Sequence, residues 1–576
     1  MMRRLTQLVL IVVVVLGVAT LAAAQQELQP VVRLGNFIEV GNDVFMHIIG
    51  TADIRYHTVQ NYDFEGEVRD RVASRNPSST ASMDGDGDLS WAELRLGAEF
   101  RYQKNLTMYL LFEHQQVFDG NLIDDRSNAS NPGGTDAFGR APSTENPGFH
   151  IERYWIDYQF AGTPLRMRVG ADLWNVDQAG IVGDDDPRFA LFANFGNFDV
   201  MAAAVIQYES QRLGLEDDND LIYYTFSAGY NMRPHRFQFD VVYMRDRWAG
   251  ADLANNPRVL ITDGIGYQGQ KQDSVLLMAS WTGQIGPVRG LFQANGIVGR
   301  ARGGTAGVPP NPTDVSQRGY DILAGAAIAY AEVELGIIRP FVGVVIGTPD
   351  SNSTDRHLRG FSPASWQDVT QITGVSWFDQ LDTSTNFAGR DYTCPARLQG
   401  VRQGPNTASG PNAIGAQVFT DSSRGFECNH SNSNPFNNRI GTQSHLGIVS
   451  AYSNPGTLLI PVGLKVNPLR QHEVVGWYTY RGMLNSRLLE QAFRVGVDQG
   501  FTGKFDLAQV HELGGYWQWT LNPYFDIRLA GNVALAGEGG KQIANLADCN
   551  LQLAGFQSCG GKTTALKGEV RFRARF

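Results

Sequence analysis

Segments of this chain whose apolar residues fall on every second position are joined by connections that sort by parity. Every second connection is two or three residues rich in Gly, Pro or Asn, at 103–105, 161–163, 196–197, 232–234, 285–286, 335–336, 467–469 and 522–523. The other nine are long: 61–88, 119–148, 175–186, 210–220, 248–271, 301–318, 349–455, 484–509 and 538–562. Residues of this kind make the tight turns that join antiparallel neighbours. Short turns at one end, long loops at the other and an even strand number describe a transmembrane up-and-down barrel. A soluble all-β protein has no reason to sort its loops by parity.

The segments themselves carry the period of a strand. Leu94, Leu96, Ala98, Phe100 and Tyr102 alternate with Glu93, Arg95, Gly97, Glu99 and Arg101. Leu165, Met167, Val169, Ala171 and Leu173 alternate with Arg166, Arg168, Gly170, Asp172 and Trp174. At the end of the chain Leu566, Val570, Phe572 and Phe576 oppose Lys567, Glu569, Arg571, Arg573 and Arg575. Period two places each set on one face. Eighteen strands are expected, near 43–59, 89–103, 105–118, 149–161, 163–174, 187–195, 198–209, 221–231, 235–247, 272–284, 287–300, 319–333, 337–348, 456–466, 471–483, 510–521, 524–537 and 563–576. The fold class is all-β, an antiparallel up-and-down transmembrane β-barrel of 16–18 strands.

Composition removes the competitors. The 576 residues are 43% hydrophobic and only 18% charged, against roughly 25% charged in a soluble average. Mean hydropathy is −0.23, and after Gln25 no stretch of eighteen apolar residues occurs, which argues against a helical membrane bundle. The nearest candidate, Ile322 to Ile338, is interrupted by Glu332 and Glu334 and reads as strand, turn at Gly336, strand. The net charge of −10 leaves no basic footprint, so no nucleic-acid partner is expected.

Arg3 and Arg4 precede an apolar run that ends in Ala22-Ala23-Ala24, the layout of a cleaved secretory signal peptide over residues 1–24. The expected organisation is signal peptide 1–24, periplasmic lead-in 25–42, and a barrel over 43–576 with a long extracellular loop at 349–455. The expected location is the outer membrane of a Gram-negative-type bacterium. Partners would be membrane lipid and lipopolysaccharide, and the barrel-assembly machinery during biogenesis; the oligomeric state stays open. Tyr102, Tyr109, Trp155, Tyr158, Tyr230, Tyr243, Trp281, Tyr480, Trp517, Trp519 and Tyr524 fall near strand ends, as interface girdles do.

If apolar positions face lipid, the opposite positions face the lumen. The expected pore-lining set is Arg95, Glu99, Arg101, Arg153, Asp157, Arg166, Arg168, Asp172, Asp240, Asp526, Arg528, Glu569, Arg571 and Arg573. Neighbours of opposite sign can brace the wall, and unpaired arginines would favour anions. The near-equal counts leave selectivity undecided at this level.

Cys394 and Cys428 share one long loop, and Cys549 and Cys559 share another. Four cysteines allow three pairings; closeness in sequence favours these two as disulfides in an oxidising compartment. Asp84, Asp86 and Asp88 sit at alternate positions before Glu93, as in half an EF-hand loop, but Leu89 stands where that loop requires glycine. A looser Ca²⁺ site at the loop rim is the metal candidate, and no other cofactor is expected. No G-x-S-x-G, H-E-x-x-H or phosphate-binding loop occurs, so no enzyme is expected.

The segments "IERYWIDYQFAGTPLRMRVGADLW" (151–174), "NPGTLLIPVGLKVNPLRQHEVVGWYTYRG" (454–482) and "DLAQVHELGGYWQWTLNPYFDIRLAGNVALAGEG" (506–539) resemble the alginate-export family of outer-membrane porins. The resemblance covers about a third of the chain and implies an eighteen-stranded barrel through which arginines draw an anionic polysaccharide. The balanced lumen charge here departs from that picture. The expected function is a porin-like channel for passive diffusion of small hydrophilic or anionic solutes, extending to polysaccharide export. The rival is a closed structural or interaction barrel that displays surface loops or sheathes a periplasmic electron carrier.

Overall fold

A computed structural model of the chain describes residues 38–41, 43–60, 87–119, 148–172, 174–176, 183–184, 187–208, 221–246, 271–302, 320–349, 357–359, 457–487, 503–539, 541 and 563–575. The candidate signal peptide, the four cysteines, Asp84, Asp86, Phe576 and most of 349–455 lie outside the described residues.

One 20-stranded sheet dominates, and eighteen of its strands form the wall. They are β1 (Val44–Gln60), β2 (Gly87–Tyr102), β3 (Leu106–Asp119), β4 (Gly148–Gln159), β5 (Leu165–Ala171) and β6 (Pro187–Phe195). Next come β7 (Phe198–Tyr208), β8 (Leu221–Met232), β9 (His235–Asp246), β10 (Lys271–Ile285), β11 (Val288–Arg302) and β12 (Tyr320–Val333). The last six are β13 (Ile338–Gly347), β14 (Thr457–Leu469), β15 (His472–Met483), β16 (Ala508–Asn522), β17 (Phe525–Ala536) and β18 (Thr564–Arg575). Each pairs antiparallel with its neighbours in sequence, and β1 pairs antiparallel with β18, from Thr51↔Arg575 to Gln60↔Leu566. The sheet therefore closes on itself and leaves no open edge in the wall. The two remaining strands are short: Ile38–Gly41 folds back on β1, and His357–Leu358 lies beside β12.

Tight turns at Gly162, Gly196, Gly286 and Gly336 all use positive φ, from 60° to 79°, which a residue without Cβ adopts freely. Each sits in one of the short connections, so the sequence encodes one end of the barrel directly.

The wall is amphipathic in the reverse sense to a soluble protein. All eighteen strands carry large apolar side chains exposed on the outer surface, among them Ile48, Leu96, Phe226, Phe292, Leu513 and Leu529. The polar partners at the alternate positions are turned inward and buried, among them Asp53, Glu113, Asp240, Gln293, Glu512 and Asp526. An exposed apolar surface running around a closed sheet is the kind that lipid covers.

Two details depart from expectation. The strand expected over 163–174 is shorter, Leu165–Ala171, and Gly170 next to its end adopts φ 130°, where a Cβ would collide with the Tyr154 carbonyl. Asp172 thus lies just past the strand. Tyr109 and Trp155 do not belong to an outer girdle. Both turn inward, their rings stacked at 5.2 Å and 6°. Trp155 shares its face with Arg153 and Asp157, so strand parity requires this. The outward rim at the short-turn end is aromatic, with Tyr102, Tyr230 and Tyr524 exposed and Trp517 and Trp519 stacked on His472.

Candidate functional site: the inner wall

All fourteen residues expected to line the lumen are on the inner side. They concentrate on one arc, the contiguous strands β17, β18 and β1 to β6. The facing arc, β7 to β14, is mostly apolar or neutral on its inner side, with Val205, Leu276, Met278, Ile328, Val345 and Leu459 buried there. Asp240 is the charged residue of that arc among the fourteen, and it is enclosed: the Ser227 hydroxyl and the Gln238 amide both donate to it.

The charged arc is a chain of shared ion pairs. Asp157 accepts from Arg168 at 2.9 Å and lies 3.6 Å from Arg166. Asp172 is bound by Arg168 and, at 3.0 Å, by Arg188. Three guanidinium groups thus share two carboxylates. Arg166 lies over the Phe192 ring at 4.3 Å and Arg168 over Trp155 at 4.0 Å, contacts that hold a planar cation in place. Farther round, Arg95 pairs with Glu113 and lies 3.6 Å from Glu152. Arg571 holds Asp53 across the β1–β18 seam, Arg528 pairs with Glu569 at 2.8 Å, and Asp526 is shared by Arg573 at 3.0 Å and Arg575 at 2.5 Å.

Glu152 was not foreseen. The β3–β4 register slips between Leu111↔Arg153 and Phe112↔Ile151, so Glu152 is a bulged residue. The bulge turns Glu152 and Arg153 to the same side. The only trace in sequence is the three-residue spacing of the outward Ile151 and Tyr154 in an otherwise period-two segment.

Counting charges hides what the geometry separates. Short carboxylate side chains lie against the wall, and long arginines reach past them. Side-chain exposure is 25% for Arg95 against 0% for Glu113, 36% for Arg101 against 7% for Glu99, 38% for Arg166 against 10% for Asp157, and 27% for Arg573 against 1% for Asp526. Within this arc the guanidinium is the more exposed partner of every described pair except Arg188–Asp172. Along this arc the accessible charge is therefore positive although the residue counts nearly balance. Arg166, Arg168 and Arg188 occupy successive inward registers, since Arg168 faces Ala190 and Gly170 faces Arg188. At two residues per step they climb the wall about 6–7 Å at a time.

The connection after β5 enters the barrel. Gly170 is in register with Arg188, Val205, Tyr223 and Met244 across β6 to β9. Gln238 lies six residues nearer the short turns than Met244, roughly 20 Å down the strand. Its amide nonetheless donates to the carbonyl of Val176, which is buried. The chain therefore leaves the wall at Ala171 and descends inside it. Asp88 is placed as a backbone residue of β2 opposite Thr58, and among the described residues no group of metal-ligating side chains comes together.

No family model and no curated protein matches the chain. Solved structures similar to it include OccAB2 of Acinetobacter baumannii, at 8% identity and a TM-score of 0.43, covering 92% of this chain and 98% of that one. A BenF-like porin from Pseudomonas fluorescens Pf-5 gives 9% identity and a TM-score of 0.41 over 92% and 98%. The outer membrane channel DcaP of Acinetobacter baumannii gives 9% and 0.37 over 92% and 97%. The assignment of a closed eighteen-stranded barrel rests on the strand pairing described above.

Proposed function

We propose that the chain is an outer-membrane porin-like channel through which small hydrophilic solutes diffuse passively, with a preference for anions. The observation that carries this reading is the layering of the charged arc, guanidinium groups toward the lumen and carboxylates behind them. Fixed cations on one wall of a narrow aqueous path raise the local potential and concentrate anions there. The apolar outer surface supports a membrane location, and the cell's outer membrane is where barrels of this size reside.

The test is single-channel recording of the folded full-length protein in planar bilayers. Discrete conductance steps are expected. Arg101→Glu with Arg166→Glu, which reverses the two most exposed of these guanidinium groups, is expected to lower the anion-to-cation permeability ratio. A folded barrel that inserts without any conductance steps would favour the closed structural barrel instead. Adding an anionic polysaccharide to one side tests the longer substrate implied by the alginate-export resemblance: it should interrupt the current in a voltage-dependent way.

A further inference from the structure

Gln238 is a buried amide held in one orientation. Its Oε1 accepts from Arg236 twice, from Nε at 3.1 Å and from Nη2 at 3.0 Å. Arg236 is fixed in turn by Asp199, with both Nη–O distances at 2.9 Å. The amide nitrogen must then point the other way, and it donates to Asp240 at 2.9 Å and to the Val176 carbonyl. Asp240 is fully buried and also accepts from Ser227. The arrangement is polarised from end to end: carboxylate, guanidinium, amide, peptide carbonyl. At the other end of the same segment, Asp172 is gripped by Arg168 and Arg188. Val176 is four positions after Asp172, so the segment is tied to β5 and β6 at its root and to β9 at Val176.

We infer that Gln238 is a positioning residue that clamps Val176, on the segment that leaves β5, against the inner face of β9 four strands round the wall, and so fixes the bore of the channel. The inference rests on the channel reading for its effect on current, but not for the clamp itself. The donor is specific. A carboxylate at 238 would keep Arg236 as a partner, yet it would set acceptor against acceptor at Val176 and a like charge against Asp240. Gln238→Glu is therefore a near-isosteric release of Val176.

Two readouts test this on the full-length barrel, with folding checked by heat-modifiable gel mobility. The first is the rate at which a methanethiosulfonate reagent labels Val176→Cys, measured over the background of the native cysteines. It is expected to rise tenfold or more when Gln238→Glu is added, because Val176 is only 2% exposed in the clamped state. The second is open-channel current noise, expected to increase in Gln238→Glu alone. Gln238→Asn, which keeps the donor but shortens its reach, should be intermediate in both. Labelling and noise unchanged by Gln238→Glu in a folded barrel would overturn the inference. Faster labelling with unchanged noise and mean conductance would overturn the role in setting the bore. If the unaltered barrel carries no current, the channel reading fails, and the labelling rate still decides the clamp.

Discussion

Replacing Asp53 by alanine removes the carboxylate at the seam where the first and last strands meet. Arg571 of β18 binds both oxygens of Asp53 on β1, Nε at 2.9 and 2.8 Å and Nη2 to the second oxygen. Side-chain exposure is 6% for the arginine and 4% for the aspartate, so solvent screening gives little relief. Two charge-assisted hydrogen bonds contribute about 1.5–3 kcal/mol each. Leaving one member of a buried pair alone costs about 3–5 kcal/mol. The expected loss for Asp53→Ala is thus about 3–5 kcal/mol, read as a lower urea midpoint with an unchanged slope in equilibrium unfolding of the folded barrel. Asp53→Ala combined with Arg571→Met removes the stranded charge as well and is expected to recover most of that loss, since a well-packed apolar replacement of a buried pair is often neutral. A single substitution that costs less than about 0.5 kcal/mol, or a double substitution as damaging as the single one, would refute the reasoning that the seam is held by a desolvated pair.

Two further substitutions probe the wall. Leu529→Arg puts a charge on the outward face of β17, where Leu529 is exposed; in lipid this is expected to cost about 2–4 kcal/mol near the bilayer midplane, whereas in detergent-free water such a change would be harmless. Gly229→Val is expected to destabilise by about 1–3 kcal/mol through overpacking, because a Cβ there meets Arg236 Nη2 at 2.5 Å and Asp199 Oδ2 at 2.8 Å; Gly229→Ala should show part of the same loss in the same urea titration.

The wall was legible in the sequence because its two encoding signals are local. Period-two alternation names the strands, and glycine-bearing turns on one side set their parity, so all eighteen strands appear near the expected positions. What was not legible depends on reach and on long-range register. The side chains of Arg166 and Asp157 count as one charge each in a sequence, but only the longer one extends into the lumen. Glu152 turns inward because of a one-residue slip against β3, a property of the pairing and not of β4 alone. Val176 carries no motif, and its place beside Gln238 follows from the chain leaving the wall after Ala171 and turning inside. The inward Trp155 was readable and was obscured by treating every strand-end aromatic as a girdle residue.

The central claim is that balanced charge counts conceal a cationic lumen. The reversal potential of the unmodified channel in a potassium chloride gradient tests it most directly, with many single insertions averaged at low ionic strength, where screening is weakest. The layered arc, with Arg101 at 36% and Arg166 at 38% exposure over carboxylates at 7% and 10%, predicts a reversal potential of the sign for chloride over potassium. A reversal potential at zero, or one of the sign for potassium, would contradict it.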